Sequence, residues 1–145
     1  GASGAVAGLV AVTPAAGVSG PLGAMLLGVA ASSACYSFIA GMKHRLRLDD
    51  SLDVFGIHGL GGIVGSIGTA VVALPLLGGH GGDDYALGAQ LARQLGAVLL
   101  AISWSAAGSA ACFVLVRMIV PVRRDGDAER EGLDLSDHGE RAYNP

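Results

Sequence analysis

Residues 49–65 read DDSLDVFGIHGLGGIVG: three acids run into an apolar, glycine-rich stretch that holds one histidine, His58. A neutral imidazole carries one donor and one acceptor nitrogen and titrates near neutral pH. It can therefore offer polar edges to a small molecule or a step for a proton. An ionisable group inside an apolar helix is costly, and it is either a hydrogen-bonded packing residue or part of a path for ions and protons. The residues alone leave both readings open. On α-helical spacing, positions 58, 61, 62, 65, 66 and 69 share one face, and they are His, Gly, Gly, Gly, Ser and Thr. The GxxxG spacing of Gly61 and Gly65 lets a second helix approach closely, which is expected to turn His58 into a bundle and away from lipid. Upstream, the run from Asp50 to Asp53 supplies N-cap oxygens, and carboxylates there suit the helix dipole. Capping explains the position of Asp53 more simply than ion binding does. Val54, one turn before His58, either lines the same path or packs. Thr13 precedes Pro14 and is expected to hydrogen-bond the backbone that the proline frees, in preference to facing the path.

Distribution of charge shows which elements carry these residues. The chain is 52% hydrophobic and 14% charged, with 24 glycines and a mean hydropathy of +0.57. No Asp, Glu, Lys or Arg occurs over 1–42, 54–82 or 94–116. A helix needs about 20 apolar residues to cross a bilayer. Thr13-Pro14, Gly17 and Gly20-Pro21 divide the first stretch into a partial helix over 1–16 and a full span over 21–42. Three whole spans and one partial one are expected over residues 1–120, with a separate tail at 121–145. A buried soluble bundle would need polar helix faces that these segments lack. Gly1 opens directly in apolar sequence without a charged leader, which reads as a piece of a larger membrane protein.

Lys43, Arg45 and Arg47 lie between the second and third segments, and Arg117, Arg123 and Arg124 follow the last, whereas the loop from Gly78 to Leu91 has no Lys or Arg. Both basic regions are expected to be cytoplasmic and the Gly78 loop external, with Arg93 an exception near that face. Cys35 and Cys112 fall within spans and read as small packing residues, with no disulfide or metal site expected. Ser103 and Trp104 lie deep in the last span and receive no role. No nucleophile paired with a base, metal cluster or phosphate loop is present, so an enzyme is disfavoured; no cofactor and no nucleic-acid partner are expected.

The stretch DDSLDVFGIHGLGGIVG closely resembles the signature of the ammonium transporter family, the Amt, Mep and Rh proteins. AGLVAVTPAAG at 7–17 resembles a second family stretch, and EREGLDLSDHGERAYNP at the end resembles its cytoplasmic tail, all in family order. The resemblance implies an all-α membrane protein, of which this chain is the end of the eighth span through the eleventh plus the tail. It implies a multi-pass protein of the cell membrane with a cytoplasmic C-terminus, a homotrimer with one ammonium/ammonia pore in each subunit, and a role for His58 as one of two histidines that meet in that pore. The partner histidine, the outer cation site and the phenylalanine gate belong to earlier spans, so this stretch alone is expected to transport nothing.

Read by composition alone, the charge-rich end after Pro121 is a solvated, disordered tail. The resemblance implies instead a tail that packs beneath the trimer, touches a neighbouring subunit and lies where a PII regulatory protein docks; Gly132, Asp134, His138, Gly139 and Tyr143 match its pattern. The alternative function is an ammonium sensor signalling through cytoplasmic partners. A sensor is expected to carry a signalling domain after the spans, so the tail's short extent favours transport.

Overall fold

A computed structural model of the chain describes residues 1–42, 45, 50, 52–82 and 84–140. Lys43, His44, Arg47, Asp49, Ser51, Asp83 and Tyr143 lie outside the described residues. The chain falls into two compact units, Gly1–Ile102 and Ser103–Pro145, and the described residues are helices and turns without a strand.

Helix α1 (Ala2–Val12) tightens into a 3₁₀ turn at Thr13–Ala15. Pro14 brings no N–H, so the Val10 carbonyl loses its α-helical donor. The Thr13 N–H reaches back to both the Leu9 and Val10 carbonyls, and its hydroxyl donates to the Leu9 carbonyl at 2.8 Å. The Thr13 hydroxyl thus bonds backbone, but at the Leu9 carbonyl and not at the Val10 carbonyl that Pro14 frees. After Gly17, at φ 84, Pro21 opens helix α2 (Pro21–Gly41) at the first helical position, where its missing N–H costs nothing.

A π-helical turn at Phe55–Gly59 leads directly into helix α3 (Leu60–Val72). Helices α1 and α3 run parallel with α2 antiparallel to both, as two apolar clusters show. One joins Ala7, Cys35 and Ile57; the other joins Ala11, Ala15, Leu27, Ala31 and Val72. Small residues set the spacing. A Cβ on Gly65 would run into the backbone of Ala11, and one on Gly61 would press on Val10 at 3.3 Å. Ser32 ties α2 to α1 by donating to the Gly4 carbonyl at 2.8 Å.

The connection after α3 is tied back through His80, Gly81 and Tyr85. The His80 N–H donates to the Val18 carbonyl at 3.0 Å and the Gly81 N–H to the Ala73 carbonyl at 2.8 Å. The Tyr85 hydroxyl donates to the Ala70 carbonyl at 2.7 Å, satisfying one of the orphan acceptors at the end of α3. Helix α4 (Leu87–Ile119) follows, 33 residues long with none buried. Its exposed Leu99, Leu100, Ile102, Trp104 and Phe113 make an apolar surface that water does not favour. Among the described residues, three helical segments are long and apolar enough to cross a membrane, Pro21–Gly41, Phe55–Val72 and Leu87–Ile119, while Ala2–Ala15 is too short. That is the expected pattern of three whole spans and one partial one.

In the second unit, the charge-rich end forms two short helices, α5 (Gly126–Glu131) and α6 (Leu133–His138), in place of the featureless chain its composition suggests. Gly132, at φ 100, makes the elbow between them, and Gly139, at φ 67, closes α6. Both angles lie where a Cβ is strained, which is why glycine occupies them.

Candidate functional site

His58 sits inside the π-helical turn, one residue from its end. The turn alters the face read from α-helical spacing. Because it contains one extra residue, the buried row on this element runs Ile57, Gly61, Gly65 and Thr69; His58 emerges beside that row and is exposed within this chain. Gly62, which shared the expected face, likewise has open space around its Cα. Thus Gly61 and Gly65 pack helices as expected, while His58 and Gly62 look outward from the three-helix core.

The imidazole is held from below. Its Nδ1 lies 3.2 Å from the Val54 carbonyl one turn earlier. A carbonyl only accepts, so in the neutral ring this contact places the proton on Nδ1 and the lone pair on Nε2. Val54 and His58 are therefore brought together, through the backbone of Val54; the Val54 side chain is exposed. Thr13 lies elsewhere. It falls beyond the crossing of Ala11 with Gly65, toward the opposite end of the bundle from His58.

The entry to the turn is built from two aspartates with different jobs. Asp53 stands just before it at φ 57, the described non-glycine residue with positive φ, a conformation Asp tolerates better than most. Its N–H donates to the Asp50 carbonyl at 3.1 Å, and its own carbonyl accepts from the Ile57 N–H at 2.8 Å. Side-chain capping comes from Asp50, whose Oδ2 accepts from the Gly56 N–H at 3.1 Å. Within the acidic run it is thus Asp50 whose carboxylate serves the Gly56 N–H, and the sequence alone singles out neither residue. Gly56 is buried, and a Cβ there would overlap Cγ1 of Ile39 on α2. Phe55 packs on Phe38 of α2, with ring centroids 6.1 Å apart and planes tilted by 51°. A signal was present in the glycine flanked by Phe55 and Ile57, since a buried glycine marks a close approach. What approaches it is set by tertiary packing.

In the second unit, Arg123 holds Glu129 through two hydrogen bonds, 2.8 Å from Nε and 3.0 Å from an Nη. Arg124 pairs with Asp137 of α6 at 2.9 Å. Of the tail residues singled out, Asp134 lies in the first turn of α6 and His138 in its last, and the Asp134 carbonyl accepts from the Glu140 N–H at 3.1 Å. Both cysteines are free, Cys35 buried and Cys112 exposed.

The sequence profile of the Ammonium Transporter Family matches residues 1–143. This chain belongs to the ammonium transporter family. It is 44% identical to an ammonium transporter of Aquifex aeolicus over 142 residues, covering 98% of this chain and 33% of that protein. Against an ammonium transporter of Bacillus subtilis the identity is 34%, over 97% of this chain and 35% of the relative. Against ammonium transporter Amt1 of Archaeoglobus fulgidus it is 36%, over 97% and 36%. The chain spans about a third of the length of the curated relatives it matches.

Proposed function

We propose that this chain is part of a protein that moves ammonium or ammonia across the cell membrane, through a histidine-lined pore in each subunit of a homotrimer. The observation that carries the reading is His58. A polar, titratable ring stands on a membrane-span candidate, clear of the packing seam, in a chain of the ammonium transporter family. An ammonium ion entering a dry, low-dielectric passage must lose its water at a cost of several kcal/mol. Giving up its proton to the imidazoles, along which the proton crosses separately and carries the charge, removes most of that cost. Ammonia then passes the imidazole, whose polar edges replace water, and regains a proton on the far side. A second histidine supplied by the remainder of the protein completes the pair. With the basic loops on the cytoplasmic side, residues 1–120 form the membrane portion and 121–145 a cytoplasmic tail, whose folded helices offer a surface for a neighbouring subunit and for a PII regulatory protein.

The test is reconstitution of the intact protein with His58→Ala or His58→Leu, comparing ammonium-driven with potassium-driven currents. Alanine leaves space and is expected to admit water and other cations, lowering selectivity. Leucine keeps the passage dry and is expected to remove the polar step. Parental current and selectivity in both variants, with assembly intact, would reduce His58 to a packing residue.

A further inference from the structure

The turn that carries His58 differs from the helix it enters. Residues 55–59 are π-helical, a rare form found mostly as single turns within α-helices. Three contacts converge on it. Asp50 Oδ2 takes the Gly56 N–H at 3.1 Å. Asp53, at φ 57, delivers its carbonyl to the Ile57 N–H at 2.8 Å. Gly56 itself lies so close to Ile39 that no Cβ fits between them; a β-branched side chain on a helix has little rotamer freedom with which to withdraw. All three act on Gly56 and Ile57, immediately before His58.

The geometry has a direct consequence for the ring. In an unbroken α-helix, His58 would stand on the same face as Gly61, Gly65 and Thr69, pressed against α1 and α2. The extra residue of the π-turn brings Ile57 onto that face, where it packs with Ala7 and Cys35. His58 is left exposed beside it, with Nδ1 against the Val54 carbonyl. We propose that Asp50 and Gly56 are positioning residues for His58: by clamping the π-turn they rotate the imidazole off the packing seam to where, on the reading of His58 as part of the permeation path, it meets what passes.

Two pairs of variants separate positioning from general support. Asp50→Ala removes the acceptor of the Gly56 N–H, whereas Asp50→Asn keeps an amide oxygen there. Gly56→Ala forces an overlap with Ile39, and Gly56→Ala/Ile39→Ala makes room for the new methyl. Each is placed in the intact protein, with trimer assembly, ammonium-to-potassium selectivity and the nitrogen NMR resonances of the His58 ring measured in proteoliposomes; the resonances are assigned by their loss in His58→Ala. Asp50→Ala and Gly56→Ala are expected to shift the ring resonances and lower selectivity on the order of tenfold or more, as misplacing a working group does. Asp50→Asn and the double variant are expected to return both toward the parent. Assembled Asp50→Ala and Gly56→Ala with parental ring resonances would overturn the proposal. So would failure of both to assemble while the His58 variants assemble, since that marks a folding element only. If ring resonances move in the clamp variants but His58→Ala itself leaves transport unchanged, the positioning holds and the transport role of His58 falls.

Discussion

Gly62 and Gly65 stand three positions apart on one helix and meet opposite surroundings. A methyl group on Gly62 finds open space, whereas one on Gly65 lands on the main chain of Ala11. Helix propensity favours alanine over glycine by roughly 1 kcal/mol, and overpacking costs about 1–3 kcal/mol. Backbone cannot rotate aside, so overlap wins at Gly65. Gly65→Ala is expected to lower the melting temperature of the intact protein in detergent, and Gly62→Ala to leave it unchanged or raise it. Equal effects of the two would mean that the seam is not where α1 and α3 meet. Sequence spacing found both glycines but could not tell them apart, because it assumed an unbroken α-helix from His58 onward. A π-turn has no periodicity of its own to read; here Asp50, from the preceding loop, and Ile39, from the helix before it, converge on Gly56. Sequence spacing also offered Asp53 as a cap without pointing to Asp50, whose carboxylate accepts from the Gly56 N–H.

Among the elements, the spans were legible because a bilayer imposes a simple rule, long runs without charge, and the break at Thr13-Pro14 because proline deletes a donor. The tail was harder. Its charges read as solvation, yet Arg123, Arg124, Glu129 and Asp137 pair with one another and two glycines allow the turns between short helices. Hydrogen bonds from Arg123 hold the Glu129 carboxyl below its usual range, and its charge adds to the effect. Arg123 is raised by the same partner and stays charged throughout, so Glu129 sets the pH window. A carboxyl lowered in the folded state stabilises it above the ordinary glutamate range, and that contribution fades as pH falls through the lowered value. Amide exchange across 126–131 is therefore expected to quicken on acidification, and Glu129→Gln to make exchange fast and insensitive to pH over that window. Both carboxyl and guanidinium are exposed, so high salt is expected to mimic the variant. An unchanged exchange rate under both treatments would remove the pair from the account of tail folding.

At the level of the whole molecule, the three span candidates and the basic residues between them make a topology that can be checked chemically. With Arg45 and Arg117 on the cytoplasmic side and His80 and Asp84 outside, a cysteine at position 45 and one at position 84 are expected to react with an impermeant reagent from opposite faces of oriented vesicles. Labelling from one face would overturn the orientation. Helix α4 carries a further consequence. Its 33 residues, at about 1.5 Å each, make a rod of about 50 Å, well beyond a hydrocarbon layer of about 30 Å. Arg93 and Arg117 are 24 positions apart on that rod, about 36 Å by the same rise. In a bilayer crossed by α4, the two guanidinium groups are expected to bracket the oily layer like the marks of a gauge. A thinner or thicker layer is met by tilting the rod or by moving the arginines along their stems, and tilt is set by packing against neighbouring helices. Bilayer thickness is therefore expected to be met first by how far the two arginines extend along their stems, while the inclination of α4 follows the helices packed against it.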